Sequence, residues 1–185
     1  MKIAFLASTF LPTIGGAEVL MHNLAIHLQK MGHEVHVITW WGNWIKIRGK
    51  LPYPVHPLLP RSYTEKDRSR LEGKGVWSNW VARQVLLYQR RYSFDVFQIH
   101  NACPLGPLCA RVLVRAGLPV VMRCTGGDLL YDESMRYGFR CNPVLGNALV
   151  DSIVACDQVT ASSHLMEAGY LEIGVPPKKI SRIPN

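Results

Sequence analysis

Two adjacent glycines, Gly15 and Gly16, stand directly before a stretch with strong helical period. The first turn of a helix presents unpaired backbone N–H groups and the positive end of the helix dipole, so it favours an anion. Two residues without a Cβ let a phosphate reach that backbone, although the pair also suits an ordinary loop. The pattern is not G-x-G-x-x-G and no G-K-S/T follows, so neither the dinucleotide nor the P-loop fingerprint is present. His100 closes the run DVFQIHN. At a strand end it could contact a sugar or a phosphate, or it could be a core histidine. Thr125-Gly126-Gly127-Asp128 could turn backbone N–H groups and a carboxylate toward a hydroxylated ligand, or Asp128 could simply hold the turn. Ser162 follows a further apolar run, QVTA.

Metal chemistry finds no support. His22, His27, His33 and His36 lie on or beside the first helical stretch without a carboxylate or cysteine at ligand spacing. The five cysteines, Cys103, Cys109, Cys124, Cys141 and Cys156, are odd in number and include no C-x-x-C pair. They read as free thiols in a reducing cytosol rather than a disulfide framework or zinc ribbon, and the expected location is cytoplasmic. No organic cofactor is expected.

These groups need elements to hold them. Ile3 to Ala7 is a continuous apolar run, as in strands buried on both faces. Ala17, Leu20, Met21, Leu24, Ala25, Leu28 and Met31 then repeat along one helical face, and Gly32 is placed to end it. Val35 to Ile38 is a second strand, which completes a βαβ unit. The region from Trp40 to Val76 reads as irregular, and such a long loop is a candidate for function or motion. Beyond it, the spacing predicts helices over Trp77–Tyr92, Leu105–Ala116 and Pro143–Cys156, and one starting at Ser163 with Ser162 or Ser163 as cap. The helical faces include Trp77, Trp80, Val81, Val85 and Tyr88 in the first, and Val144, Leu145, Ala148, Leu149 and Ser152 in the third. Strands are predicted over Asp95–His100, Pro119–Arg123, Val159–Ala161 and Lys179–Ile183. The alternation makes the class α/β, with a doubly wound, mostly parallel sheet and helices on both faces. Ligands of such sheets lie outside the carboxyl ends of the strands, where Ser8, Trp40, His100, Thr125 and Ser162 fall.

The 185 residues suit one ordinary domain, and 18% charged residues exclude a disordered chain or coiled coil. The N-terminal apolar run passes into helical period without a signal-peptide break, and no stretch approaches a membrane span. The net charge of +8 is local: from Lys46 to Arg91 eleven basic residues meet three acidic ones, which is the whole excess. Arg68, Arg70 and Lys74 sit at its centre, and Trp40, Trp41, Trp44, Trp77 and Trp80 lie within or beside it. Basic residues mixed with tryptophan suit an anionic membrane surface, or form a solvated loop and helix. No nucleic-acid module accompanies them, so nucleic acid is not an expected partner.

The whole arrangement is more specific than its parts. MKIAFLASTFLPTIGGAEVLMHNLAIHLQKMGHEVHVIT resembles the opening of the GT-B glycosyltransferases of family 4. DVFQIHN resembles that family's strand ending in His, VVMRCTGGDLL its next strand and turn, and CDQVTASS with GVPPKKISRIPN the stretch leading toward a second domain. The resemblance implies a Rossmann-like N-terminal, acceptor-side half over residues 1–185, with a nucleotide-sugar-binding half outside this chain. It implies a retaining transferase using a nucleotide-sugar donor, a glycan, lipid or small-molecule acceptor and no obligatory metal. Gly16, with Gly15, would meet the donor diphosphate. His100 would lie beside the donor sugar, and Thr125, Gly126, Asp128 and Ser162 would face the acceptor. Thr125 departs from the family pattern, since many relatives have His there in an H-G-x-D turn. The alternatives are a non-catalytic domain binding an anionic ligand, or half of a nucleotide-sugar epimerase.

Overall fold

The structure, a computed structural model, describes residues 1–59 and 76–184, with the side chains of 76–78 left aside. Arg68, Arg70 and Lys74 therefore lie outside the described residues, as does the side chain of Trp77. The described elements run β1 (Lys2–Ala7), α1 (Gly16–Lys30), β2 (Glu34–Trp40), α2 (Trp41–Ile47), β3 (Val55–Leu58), α3 (Val76–Tyr92) and β4 (Val96–His100). They continue with α4 (Leu105–Arg115), β5 (Val120–Arg123), α5 (Pro143–Ala155), β6 (Gln158–Ala161), α6 (His164–Glu172) and β7 (Ile180–Arg182).

The strands form one sheet in the order β3-β2-β1-β4-β5-β6-β7, and every pairing is parallel. The predicted doubly wound sheet is thus present. Its chain order reverses between β1 and β4, where Ala7 and His100 are register partners at the strand ends. That is the switch point at which such sheets open a ligand crevice.

The apolar run of β1 divides by the strand period of two. Ile3, Phe5 and Ala7 join the cluster that takes Met21 and Ala25 of α1. Ala4 and Leu6 join the larger cluster with Val81 and Val85 of α3 and Leu105, Leu108 and Cys109 of α4. Two cores on two faces explain why the strand carries no polar residue after Lys2.

Helix ends follow their local chemistry. After α1, Gly32 has φ +85°, and the N–H groups of Gly32 and His33 donate to the carbonyls of Gln29 and Leu28 at 2.9 and 3.0 Å. This glycine-dependent closure stops the helix where the sequence predicted. Asn142 caps α5 by accepting from the Leu145 N–H at 3.0 Å. Ser163, rather than Ser162, caps α6 by accepting from the Met166 N–H.

The stretch read as irregular from Trp40 needs correction. It contains α2 and the edge strand β3, whose Thr39↔Pro57 pairing is tolerated because only one side of an edge strand needs to donate. Seven residues of α2 and four of β3 are too short to establish a period. Among the described residues, three predicted face residues are also exposed: Met31, Trp80 and Val144. Met31 is the C-cap of α1 and Val144 sits in the first turn of α5, so both overhang the layer their helices cover. Trp80 lies beside the buried Val81 without sharing its burial.

Candidate functional site

The loop after β1 delivers the chain to Gly15, the N-cap of α1, whose backbone is extended and has no side-chain cap. The two glycines differ in what surrounds them. A Cβ on Gly15 would meet the Glu18 carboxylate, which is buried in the first turn of α1. A Cβ on Gly16 would meet nothing within 4 Å. The protein's own packing therefore does not explain a glycine at position 16. An open, uncapped helix N-terminus remains there, with its N–H groups available to an anion.

His100 stands at the other side of the switch point. Its side chain is 3% exposed, packs edge-to-face on Phe5 at 5.0 Å between ring centres, and neither ring nitrogen has a hydrogen-bond partner among the described residues. Burial first, and the nearby Arg123 guanidinium second, push its pKa down to about 3. At neutral pH it is an uncharged imidazole with two unpartnered nitrogens. It combines the burial of a core histidine with the unmet polarity of a ligand contact.

The turn after β5 is fixed by Asp128. Its Oδ1 accepts from the backbone N–H groups of Thr125 and Gly126 at 3.1 and 3.0 Å, and its Oδ2 from that of Ala102 at 2.8 Å. The carboxylate is 4% exposed and held inside the protein, which is the turn-holding role weighed for it. Thr125 donates its hydroxyl to the Asn101 side chain, joining the turn to the end of β4. Asn101 occupies a left-handed backbone position, φ +58°, and its N–H donates to the Arg123 carbonyl at 3.1 Å. Ser162, half-buried, follows the end of β6. The predicted residues thus share the carboxyl edge of the sheet. Gly16 and His100 belong to the central pair of strands, Thr125, Gly126 and Asp128 to the next, and Ser162 to the one beyond.

Among the described residues, no group of three or more His, Cys, Asp and Glu could hold a metal ion. The five cysteines form no disulfide among the described residues; four are buried and Cys141 is partly accessible. No helix among the described residues is long and apolar enough to cross a membrane.

The sequence profile of Glycosyltransferase Family 4 matches residues 14–185, a span that contains the open glycine, the strand-end histidine and the pinned turn. The chain belongs to Glycosyltransferase Family 4. Among curated proteins this family 4 chain is 24% identical over 182 residues to N-acetyl-alpha-D-glucosaminyl L-malate synthase of Bacillus anthracis, with 96% of this chain and 44% of that protein covered. It is 27% identical to a subunit of the phosphatidylinositol N-acetylglucosaminyltransferase of Arabidopsis thaliana, with 100% of this chain and 39% of that protein covered. The chain therefore spans less than half the length of the curated relatives it matches. Among solved structures it resembles Anabaena HepE in complex with UDP-glucose, with TM-score 0.68, 16% identity, and 100% of this chain and 44% of that chain covered. It also resembles UDP-GlcNAc 2-epimerase from Methanocaldococcus jannaschii, with TM-score 0.69, 17% identity, and 100% and 46% covered. These likenesses establish the fold as a Rossmann-like half of the GT-B kind, as the sequence motifs implied.

The candidate site includes residues that sequence reasoning missed. Glu18 was legible as an acidic residue in a helical first turn, a position the dipole favours. The connection 124–142 between β5 and α5, longer than the usual few residues, signalled an elaborated loop. It folds into a small hairpin in which Asp132 and Tyr137 exchange backbone hydrogen bonds of 3.0 and 2.9 Å. The hairpin packs on the glycine turn: a Cβ on Gly126 would lie 3.0 Å from the Tyr137 hydroxyl, and one on Gly127 3.3 Å from Gly138. Gly126 and Gly127 are small because this hairpin lies against them.

Proposed function

We propose that this chain is the acceptor-side domain of a retaining glycosyltransferase that moves a sugar from a nucleotide-sugar donor to an acceptor. The observation that carries the reading is the open space at Gly16, at an uncapped helix N-terminus on the switch-point edge, in a family 4 chain. The donor diphosphate would take the backbone N–H groups of the first turn of α1, beginning with that of Gly16, and the helix dipole would stabilise charge developing on it as the leaving group departs. His100 would give its neutral imidazole to a hydroxyl of the donor sugar. Thr125, Gly126 and Ser162 would line the acceptor side, shaped by Asp128. A second, nucleotide-sugar-binding domain would complete the cleft, so residues 1–185 alone are expected to be inactive.

Both curated relatives carry N-acetylglucosaminyl in their names, which makes UDP-N-acetylglucosamine the first donor to test, with UDP-glucose second. The test is a product assay of the protein as its gene encodes it, against nucleotide sugars and a panel of glycan, lipid and small-molecule acceptors. A glycoside that keeps the donor's anomeric configuration supports the reading. An epimerised nucleotide sugar without transfer replaces it with the epimerase alternative, and nucleotide-sugar binding without turnover replaces it with a binding domain.

The reading extends to a cytoplasmic location with peripheral attachment to anionic membrane. In support, exposed Lys46, Arg48 and Lys50 accompany exposed Trp41 and Ile45 on and after α2, with Arg48 stacked 5.3 Å from the Trp44 ring centre. Exposed Leu59 follows the end of β3, whose last residue Leu58 pairs with Trp40 at the end of β2. Arg68, Arg70 and Lys74 would extend the same charge.

A further inference from the structure

Glu18 has no task yet in the transfer reaction. It is the third residue of α1 after the N-cap Gly15, and it is only 8% exposed. Its Oε2 lies against Gly15, in the space that a Cβ there would need. A glutamate at this helix position can reach back to the N-cap N–H and form a capping box. No such bond forms here. Among the described residues the Glu18 carboxylate has neither a hydrogen bond nor an ion pair. Buried carboxylates are normally partnered, so this one points to something outside the fold itself.

The Val19 N–H is the one that reaches back to the N-cap, donating to the Gly15 carbonyl at 3.1 Å. The N–H groups of Gly16, Ala17 and Glu18 precede that ladder and carry the positive end of the helix dipole. A carboxylate in the first turn is attracted to that end, so Glu18 already takes part of the field that an anion would use. A diphosphate on the same turn would carry charge of the same sign as Glu18. Away from water, like charges repel more strongly than in bulk solvent. Gly15 gives room to the carboxylate, and Gly16 leaves room for the anion. One helix end thus serves two negative groups, one fixed and one exchangeable. We propose that Glu18 is a built-in competitor for this helix end, which weakens the hold of α1 on the diphosphate and so speeds departure of the nucleoside diphosphate product. It touches no reacting atom and acts through the charge it places beside the first turn. The inference rests on the diphosphate reading of Gly16; the sign of the effect rests on Glu18 alone.

Titration calorimetry on the protein as its gene encodes it tests this, with UDP, inorganic pyrophosphate and uridine as probes. Glu18→Gln keeps the shape of the side chain and removes its charge. It should bind UDP and pyrophosphate about tenfold more tightly than the parent, and uridine equally. UDP should become a correspondingly stronger product inhibitor of transfer. Glu18→Ala also removes the charge and should shift UDP affinity in the same direction. Glu18→Asp keeps the charge and should stay closer to the parent than Glu18→Gln does. A packing role would rank these variants the other way, with the amide nearest the parent. UDP affinity unchanged in both Glu18→Gln and Glu18→Ala overturns the inference. Weakened UDP affinity in both overturns it too, and makes Glu18 a direct hydrogen-bond acceptor for the nucleotide. An equal gain for uridine also overturns it, since charge would not be the cause. UDP binding that Gly16→Val abolishes and the Glu18 variants leave unchanged would remove this inference and leave the diphosphate cradle standing. UDP binding indifferent to Gly16→Val, or absent from the parent, would remove the cradle and this inference with it.

Discussion

Asp128 accepts a hydrogen bond from the Ala102 N–H across 2.8 Å, which ties the turn after β5 to the loop after β4. The same carboxylate closes its own turn on Thr125 and Gly126. One buried side chain therefore sets the relative position of the two loops that flank His100 and the Gly126–Gly127 floor.

Asp128→Ala should cost stability on the order of 3 kcal/mol, because three backbone donors lose a charged partner together. Asp128→Asn should cost less, since it keeps an acceptor oxygen. Chemical denaturation of the three proteins checks this. An unchanged midpoint in the alanine variant, with a raised acceptor KM, would instead make Asp128 a direct acceptor ligand.

His100→Phe keeps the ring against Phe5 and removes two buried nitrogens that have no partner among the described residues. The variant should be as stable as the parent or about 1 kcal/mol more so, and its turnover should fall. Thermal stability and activity per folded molecule separate the two effects. Full activity would reduce His100 to packing.

Acid should destabilise the fold before carboxylates titrate. His100 is pushed down to about 3 and His56 to about 4, both chiefly by burial, from an ordinary value near 6.5. Between pH 6.5 and 4 the unfolded chain binds protons that the folded chain refuses, so stability falls as pH falls through this window. Denaturation midpoints measured across it should drop, and His100→Phe should flatten the slope. A flat parent curve would contradict the buried, neutral state of both residues.

Vesicle co-sedimentation tests the membrane reading. Binding should require anionic lipid and weaken as salt rises, since each Lys or Arg at such a surface contributes about 1 kcal/mol and is screened within about 8 Å at physiological salt. Lys46→Glu with Arg48→Glu, and Arg68→Glu with Arg70→Glu, should each reduce it. Equal binding to neutral and anionic vesicles, or none to either, returns the segment to a solvated surface.

What the sequence could express depended on length and spacing. Long periodic stretches such as Ala17 to Leu28 identified α1, and the apolar run Ile3 to Ala7 identified a strand covered on both faces, which the two core clusters bear out. β3, with Pro57 inside four residues, and α2, with seven, carry too little period to be read. At the site, the edge containing Gly16, His100 and Thr125 was legible because strand ends were. The difference between Gly15 and Gly16 was not, since it depends on where Glu18 folds back. The Tyr137 hairpin was not legible either, because contacts between a turn and a loop a few residues later leave no period.

Gly16→Val tests the central claim most directly. Nothing lies within 4 Å of a Cβ placed there, so the melting temperature should stay near that of the parent. A branched side chain would fill the space assigned to the donor diphosphate. In the protein as its gene encodes it, kcat/KM for the nucleotide sugar should fall on the order of a hundredfold, about 2.7 kcal/mol of transition-state stabilisation. Activity within about twofold of the parent, at equal melting temperature, would contradict the diphosphate cradle and with it the account of this edge.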